Sequence, residues 1–152
     1  MSAIANAYAL SISSLERAEF YAAQKDNKGM WEHLWQHEIP ERFQWTGYAI
    51  VILDAWLGDQ GVRLPRDLDQ TFSSLWANIE VVLLCTQAMN LPALKKSLSA
   101  LNPSGGELAE YWQKLTGIDD AEAPTFMLDA WRWLNIVISR VQGEDWLVIR
   151  VG

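Results

Sequence analysis

His33 and His37 are the only histidines in the chain, four residues apart in "WEHLWQHEIPE". On a helix that spacing puts both imidazoles on one face, as a zinc or nickel site requires. Glu41 would continue the row, but Pro40 ends a helix before it is reached. The catalytic zinc signature needs Glu directly after the first His, and Leu34 stands there. The pair is a metal candidate only in this bare sense. An exposed polar face opposite Trp31, Leu34 and Trp35 accounts for it better, and no cofactor is expected.

The tetrapeptide LDAW occurs twice, at Leu53–Trp56 and Leu128–Trp131, each time setting a carboxylate in an apolar run. Sliding the halves by the 75-residue offset gives only scattered matches and sets Trp31 on Gly106 and Trp45 on Asp120, so this is not a repeat. Asp129 falls in a polar stripe with Arg132, Asn135, Ser139 and Gln142, and can pair with Arg132 one turn on. Asp54 belongs to no polar stripe: Phe43, Gly47 and Ile50 share its face. An ionised carboxylate there must be hydrogen-bonded, ion-paired or open to a cleft. A buried Asp paired with an Arg, a Trp N–H or a helix N-terminus is one reading. A functional carboxylate in a pocket or interface is the other, with Gly47 leaving room for something to approach. Acid–base catalysis by a carboxylate pair would need a second acid beside it, and the sequence shows none.

A third group is electrostatic. Glu107, Glu110, Asp119, Asp120 and Glu122 lie close in sequence, with only Lys114 opposing them. Asp119 or Asp120 is expected to cap the last helix. The surplus acids, with Tyr111 and Trp112, describe a rim around an aromatic anchor that would steer and hold a basic protein; a solvated acidic corner is the blander alternative. "NPSGGEL" resembles an anion-binding helix start but lacks a Lys and carries Glu107, so it reads as a capped turn. Cys85, the only cysteine, sits in "VVLLCTQA" and reads as a buried, unreactive thiol. No nucleophile elbow or dinucleotide fingerprint is present.

The elements that would position these groups are mostly helical. Ser13 and Glu16 form a capping box opening a helix that Asn27–Gly29 ends. Helices follow over about Met30–Glu38, Glu41–Leu57, Pro65 or Asp67 to Met89, from Pro92 through Leu101, Ser104 to Gly117, and Thr125–Gln142. The first of the two long central ones carries Asp54; the second has the stripe Leu68, Phe72, Leu75, Trp76, Ile79 and Leu83. The segment "AIANAYALSI" fits a helix by its Ile4–Tyr8–Ile12 spacing and a strand by its alternation; helix is the preferred reading. "DWLVIRV" reads as a strand whose partner is the N-terminal segment or another protein's edge. The expectation is a mainly α single domain over residues 1–152: six or seven helices and at most a short C-terminal strand.

Nine of the 152 residues are Trp, and the net charge is −7. The acidity is spread along the chain, with 10 acidic against 6 basic residues up to position 75 and 9 against 6 beyond it. Nucleic acid and anionic membrane are therefore poor partners and a basic protein a good one. No run reaches the length of a membrane span, and no basic leader segment opens the chain, so a cytoplasmic protein is expected. In being small, acidic, Trp-rich and free of catalytic motifs, the chain is similar in general character to bacterial immunity proteins. That similarity implies a non-catalytic inhibitor of a basic toxin or enzyme, and it carries over no residue. Two other functions compete: an enzymatic or small-molecule-binding domain using Asp54 in an aromatic pocket, and an adaptor that oligomerises, as a homodimer for instance, through its terminal strand.

Overall fold

"WLVIRV" has no polar alternation because it is covered on both sides. In the computed structural model, which describes residues 3–152, strand β3 (Trp146–Val151) has only Arg150 less than fully buried. Such a strand needs neighbours on both edges and layers on both faces. Both edges are paired, each antiparallel: β1 (Ala5–Leu10) on one side and β2 (Val81–Gln87) on the other, in the order β1-β3-β2.

Seven helices surround this sheet: α1 (Ile12–Ala23), α2 (Asn27–Trp35), α3 (Tyr48–Asp59), α4 (Ser73–Asn78), α5 (Leu91–Ser99), α6 (Gly105–Thr116) and α7 (Ala123–Ile138). Alternate strand residues enter two separate cores. Ala5, Ala7, Leu147, Ile149 and Val151 join the side chains of α3, α5, α6 and α7. Tyr8, Leu10, Cys85, Trp146 and Val148 join those of α1, α2 and α4. The protein is thus mainly α, as expected, but built in three layers around a sheet rather than as a bundle with one strand.

Two segments expected to be helical are strands. In β1 the Ile4–Tyr8–Ile12 spacing is no core stripe, since Ile4 is 56% and Ile12 51% exposed. Its alanines face one core while Tyr8 and Leu10 face the other. The long helix running to Met89 is really a 3-10 turn (Gln70–Phe72), six residues of α4, and then β2. Leu68, placed in its core stripe, is 43% exposed. A bulge at Leu83, between the Val82 and Leu84 pairings, turns Leu83 and Leu84 toward the same core and erases the period of two.

Residues 41–47 are also non-helical, and α3 starts at Tyr48. Side-chain anchors on α7 hold this strap: Phe43 packs on Trp133, the Trp133 indole donates to Glu41 O at 2.7 Å, and Glu41 pairs with Arg140. At its end Gly47 N donates to Ala3 O at 2.8 Å. A Cβ on Gly47 would lie 2.8 Å from Val151 Cγ1 and 3.0 Å from Ala5 N. The room at Gly47 is filled by the protein's own sheet.

The remaining boundaries shift modestly. Ser11, not Ser13, caps α1, accepting from Ser14 N at 3.1 Å. Asp26 caps α2 through Gly29 N. Ser104 caps α6 as expected, and Gly117 ends it at φ 72°, the left-handed conformation that Gly adopts without strain.

Candidate functional site

The acidic residues are gathered by the junction of α6 and α7. Gly105 allows the first turn of α6 to rest against Pro124 of α7, where a Cβ would lie 2.6 Å from the Pro124 carbonyl oxygen. A 12-residue helix is about 18 Å long, so residues 117–122 must travel back along α6 to reach that point. Asp119, Asp120 and Glu122 are thereby drawn alongside the helix that carries Glu107 and Glu110. Asp120 does not cap α7 directly. Its Oδ1 accepts from Glu122 N at 2.9 Å, forming the turn that leads into the helix.

Glu107, Glu110, Asp119 and Glu122 are exposed and Asp120 is half-buried. Among the described residues none of the five has a basic group within ion-pair distance. Lys114 leans over the Tyr111 ring, 5.7 Å from its centroid. The Tyr111 hydroxyl donates to Asp59 Oδ2 at 2.8 Å, adding a sixth carboxylate from the end of α3. Burial first, and then the bond to and the charge of Asp59, push the Tyr111 phenol above its ordinary pKa.

Trp112 does not serve as an exposed anchor here. It is 7% exposed and meets Phe126 edge-on at 4.8 Å, inside the core. Exposed apolar surface at this corner comes instead from Leu115 (47%) and Ile118 (56%). The tryptophans as a group are structural: Trp56, Trp112, Trp133 and Trp146 are buried, and only Trp35 is largely exposed.

Asp54 is half-buried, and its Oδ2 accepts from the Arg66 guanidinium at 2.6 Å. Arg66 Nε in turn donates to Leu83 O at 3.0 Å. Arg66 belongs to the segment 65–67 that covers the outer edge of β2, where Cys85 N donates to Pro65 O and Asp67 N to Cys85 O. The ion pair therefore fastens that edge to α3, the structural alternative for this carboxylate. Asp129 has the expected Arg132 neighbour at 3.6 Å, and its Oδ2 also accepts from the Trp45 indole at 2.9 Å. The two LDAW helices do touch: Trp56 and Trp131 meet edge to face at 6.2 Å.

His33 and His37 stand at the end of α2 with ring centroids 5.0 Å apart. His37 lies just beyond the helix, and both rings turn to Ser14 of α1: His33 Nε2 donates to Ser14 O at 2.9 Å, and His37 Nε2 lies 3.3 Å from Ser14 Oγ. Burial, followed by the charge of His33, lowers the His37 pKa below 6.5, against an opposing effect of Asp145. Among the described residues no three His, Cys, Asp or Glu side chains are grouped to hold a metal. Cys85 is fully buried, and burial, with the Asp67 charge second, pushes its thiol up to about 12, an unreactive state.

β3 cannot offer a free edge to another chain, since it is the central strand. The outer edge of β1 is covered in part by residues 37–39, through Ala9 N to His37 O and Ile39 N to Ala7 O. Among the described residues no helix is long and apolar enough to cross a membrane. No protein-family model, curated protein or solved structure matches the chain.

Proposed function

We propose that the chain is a protein-binding protein that holds a basic partner against the α6–α7 corner, most concretely as an immunity-type inhibitor of a basic toxin or enzyme. The observation that carries this reading is the set of five carboxylates, Glu107, Glu110, Asp119, Asp120 and Glu122, without cationic partners among the described residues. Four carboxylates elsewhere are used internally: Asp54, Asp129, Glu38 and Glu41 each bind an Arg. Unneutralised charge on one face raises the encounter rate with an oppositely charged protein and costs nothing further to desolvate from an existing pair. Leu115 and Ile118 supply apolar contact beside it. The anchor of the interface is therefore aliphatic, with Tyr111 at its edge, rather than tryptophan.

Asp54 has its own cation and the C-terminal strand its own neighbours, so neither competing function gains support. The test is co-expression with a basic, growth-inhibiting product of an adjacent gene, followed by affinity measurement at two salt concentrations. Growth rescue is expected, with affinity falling steeply as salt rises. The double variant Glu110→Lys, Asp119→Lys should weaken binding roughly a hundredfold, about 2.7 kcal/mol. Affinity unchanged by both charge reversals would remove the corner from the interface.

A further inference from the structure

The α1–α2 junction holds a second arrangement, independent of the acidic corner. Ser14 is 9% exposed and lines a cleft of about 470 Å³ together with Ser13, Arg17, Tyr21, Glu32 and His33. The Ser11 hydroxyl donates to Ser14 Oγ at 2.9 Å, and Ser14 Oγ lies 3.3 Å from His37 Nε2. His33 fixes the same residue from its other side through the Ser14 carbonyl. Arg17 donates to the Tyr21 hydroxyl at 3.1 Å and lies over the Tyr21 ring, 5.2 Å from its centroid, and among the described residues no carboxylate is within ion-pair distance of it. His37 lines the adjoining cleft and meets the Ser14 hydroxyl from that side, while Arg17 lines the Ser14 cleft itself. A hydroxyl within reach of an imidazole, beside an unneutralised guanidinium, is the layout of an activated nucleophile with an anion-recognising neighbour.

We propose that Ser14 is a nucleophile activated by His37, acting on small esters that carry a carboxylate directed at Arg17. Ser14 Oγ attacks the ester carbonyl carbon while its proton passes to His37 Nε2. The bond to the alkoxy oxygen breaks, and that oxygen leaves with the proton from His37. Water then attacks the acyl-serine, with His37 taking its proton and returning it to Ser14 Oγ, so that a carboxylic acid is released. The neutral state that burial imposes on His37 keeps Nε2 able to accept at neutral pH.

The experiment uses methanesulfonyl fluoride as probe, forming an Oγ–S bond with loss of fluoride, read by peptide mass spectrometry. Labelling is expected on Ser14 and should be at least tenfold slower in His37→Gln, with the fold of the variant verified by circular dichroism. In the unsubstituted protein the labelling rate should rise with pH and level off above 6.5, a readout that does not depend on any variant folding. No label on Ser14, or a rate independent of both His37 and pH, overturns the proposal. Hydrolysis of mono-(4-nitrophenyl) succinate should drop at least tenfold further in Arg17→Gln than that of 4-nitrophenyl acetate. An equal effect on both esters overturns the assignment of an anionic substrate.

Discussion

The two faces of the sheet are held by different physics. On one side α3, α5, α6 and α7 build a thick core of aromatic contacts, with Trp56 on Trp131, Phe43 on Trp133 and Trp112 on Phe126. On the other side α2 and α4 are short, and polar bonds join what packing alone would hold weakly. Glu19 of α1 accepts from Ser74 N at 3.2 Å and Leu75 N at 2.6 Å, capping α4 from a distance. The histidines tie α2 to α1, and the Arg150 guanidinium lies 4.6 Å from the centroid of the Trp31 ring. A helix of six residues gains little from its own hydrogen bonds, so fixed tertiary partners must supply its order. The comparison teaches that the aromatic face sets the global stability and the polar face sets local order.

The sharpest break of this division is Trp56→Ala. The side chain is 4% exposed and its loss leaves a cavity against Trp131, so urea unfolding should show a loss of about 3–5 kcal/mol. Trp131→Ala, at a half-buried position, should cost clearly less. A double-mutant cycle should return a coupling of about 0.5–1.5 kcal/mol from the edge-to-face pair. Additive losses would mean that the rings act only through their separate burial.

Gly47→Ala tests the same face at its closest approach to the sheet. The new Cβ meets Val151 Cγ1, which can move, and the backbone of Ile4 and Ala5, which is less free to do so. A loss of about 1–3 kcal/mol is expected. A neutral substitution would show that β1 yields, and that the strap is not what seats it.

How far these two faces could be read from residues depends on where the determining contact lies. Ser104 and Gly117 mark α6 correctly because a cap acts within one turn. β3 was legible from Val148, Ile149 and Val151, whose branching suits a strand. β2 was not, because its two-sided burial and the bulge at Leu83 erase the alternation, and β1 was not, because its alternation competed with an equally good Ile4–Tyr8–Ile12 helical spacing. Asp54 was identified as needing a partner, yet Arg66 lies beyond a loop that no helical spacing describes. At the acidic corner the charges were legible, whereas the exposure of Leu115 depends on the rotation of α6 against α7. Nothing in the residues singled out Ser14; only the fold brings His37, 23 positions on, to its hydroxyl.

On the polar face, Glu19→Ala removes two charge-assisted bonds to backbone N–H groups at the start of α4. A loss of about 1–2 kcal/mol follows from the measured range for helix caps. Hydrogen exchange should quicken first in Ser73–Asn78, leaving α7 unaffected well below global unfolding. Glu19→Gln keeps one acceptor and should recover part of the loss. Equal exchange changes in both layers would contradict the separation drawn between them.

The smallest effect expected concerns His37, and its sign is opposite to that of a salt-bridged histidine. Burial and the nearby His33 hold its folded pKa below 6.5, so the native state binds fewer protons than the unfolded one. The stabilisation is present above pH 6.5 and is lost as the pH falls from there through the lower folded value. Glu38, Glu41 and Arg140 share the neighbouring cleft with His37, and Asp145 opposes the shift. Their own titration is common to the protein and its His37→Gln variant, so the difference between the two isolates the imidazole. The destabilisation caused by His37→Gln should be larger at pH 8 than at pH 5, because only the histidine protein is penalised by protonation. A gap that widens toward acid would mean that the imidazolium is the form held by Ser14, and that His37 draws net stabilisation from the surrounding carboxylates rather than from its neutral hydrogen bond.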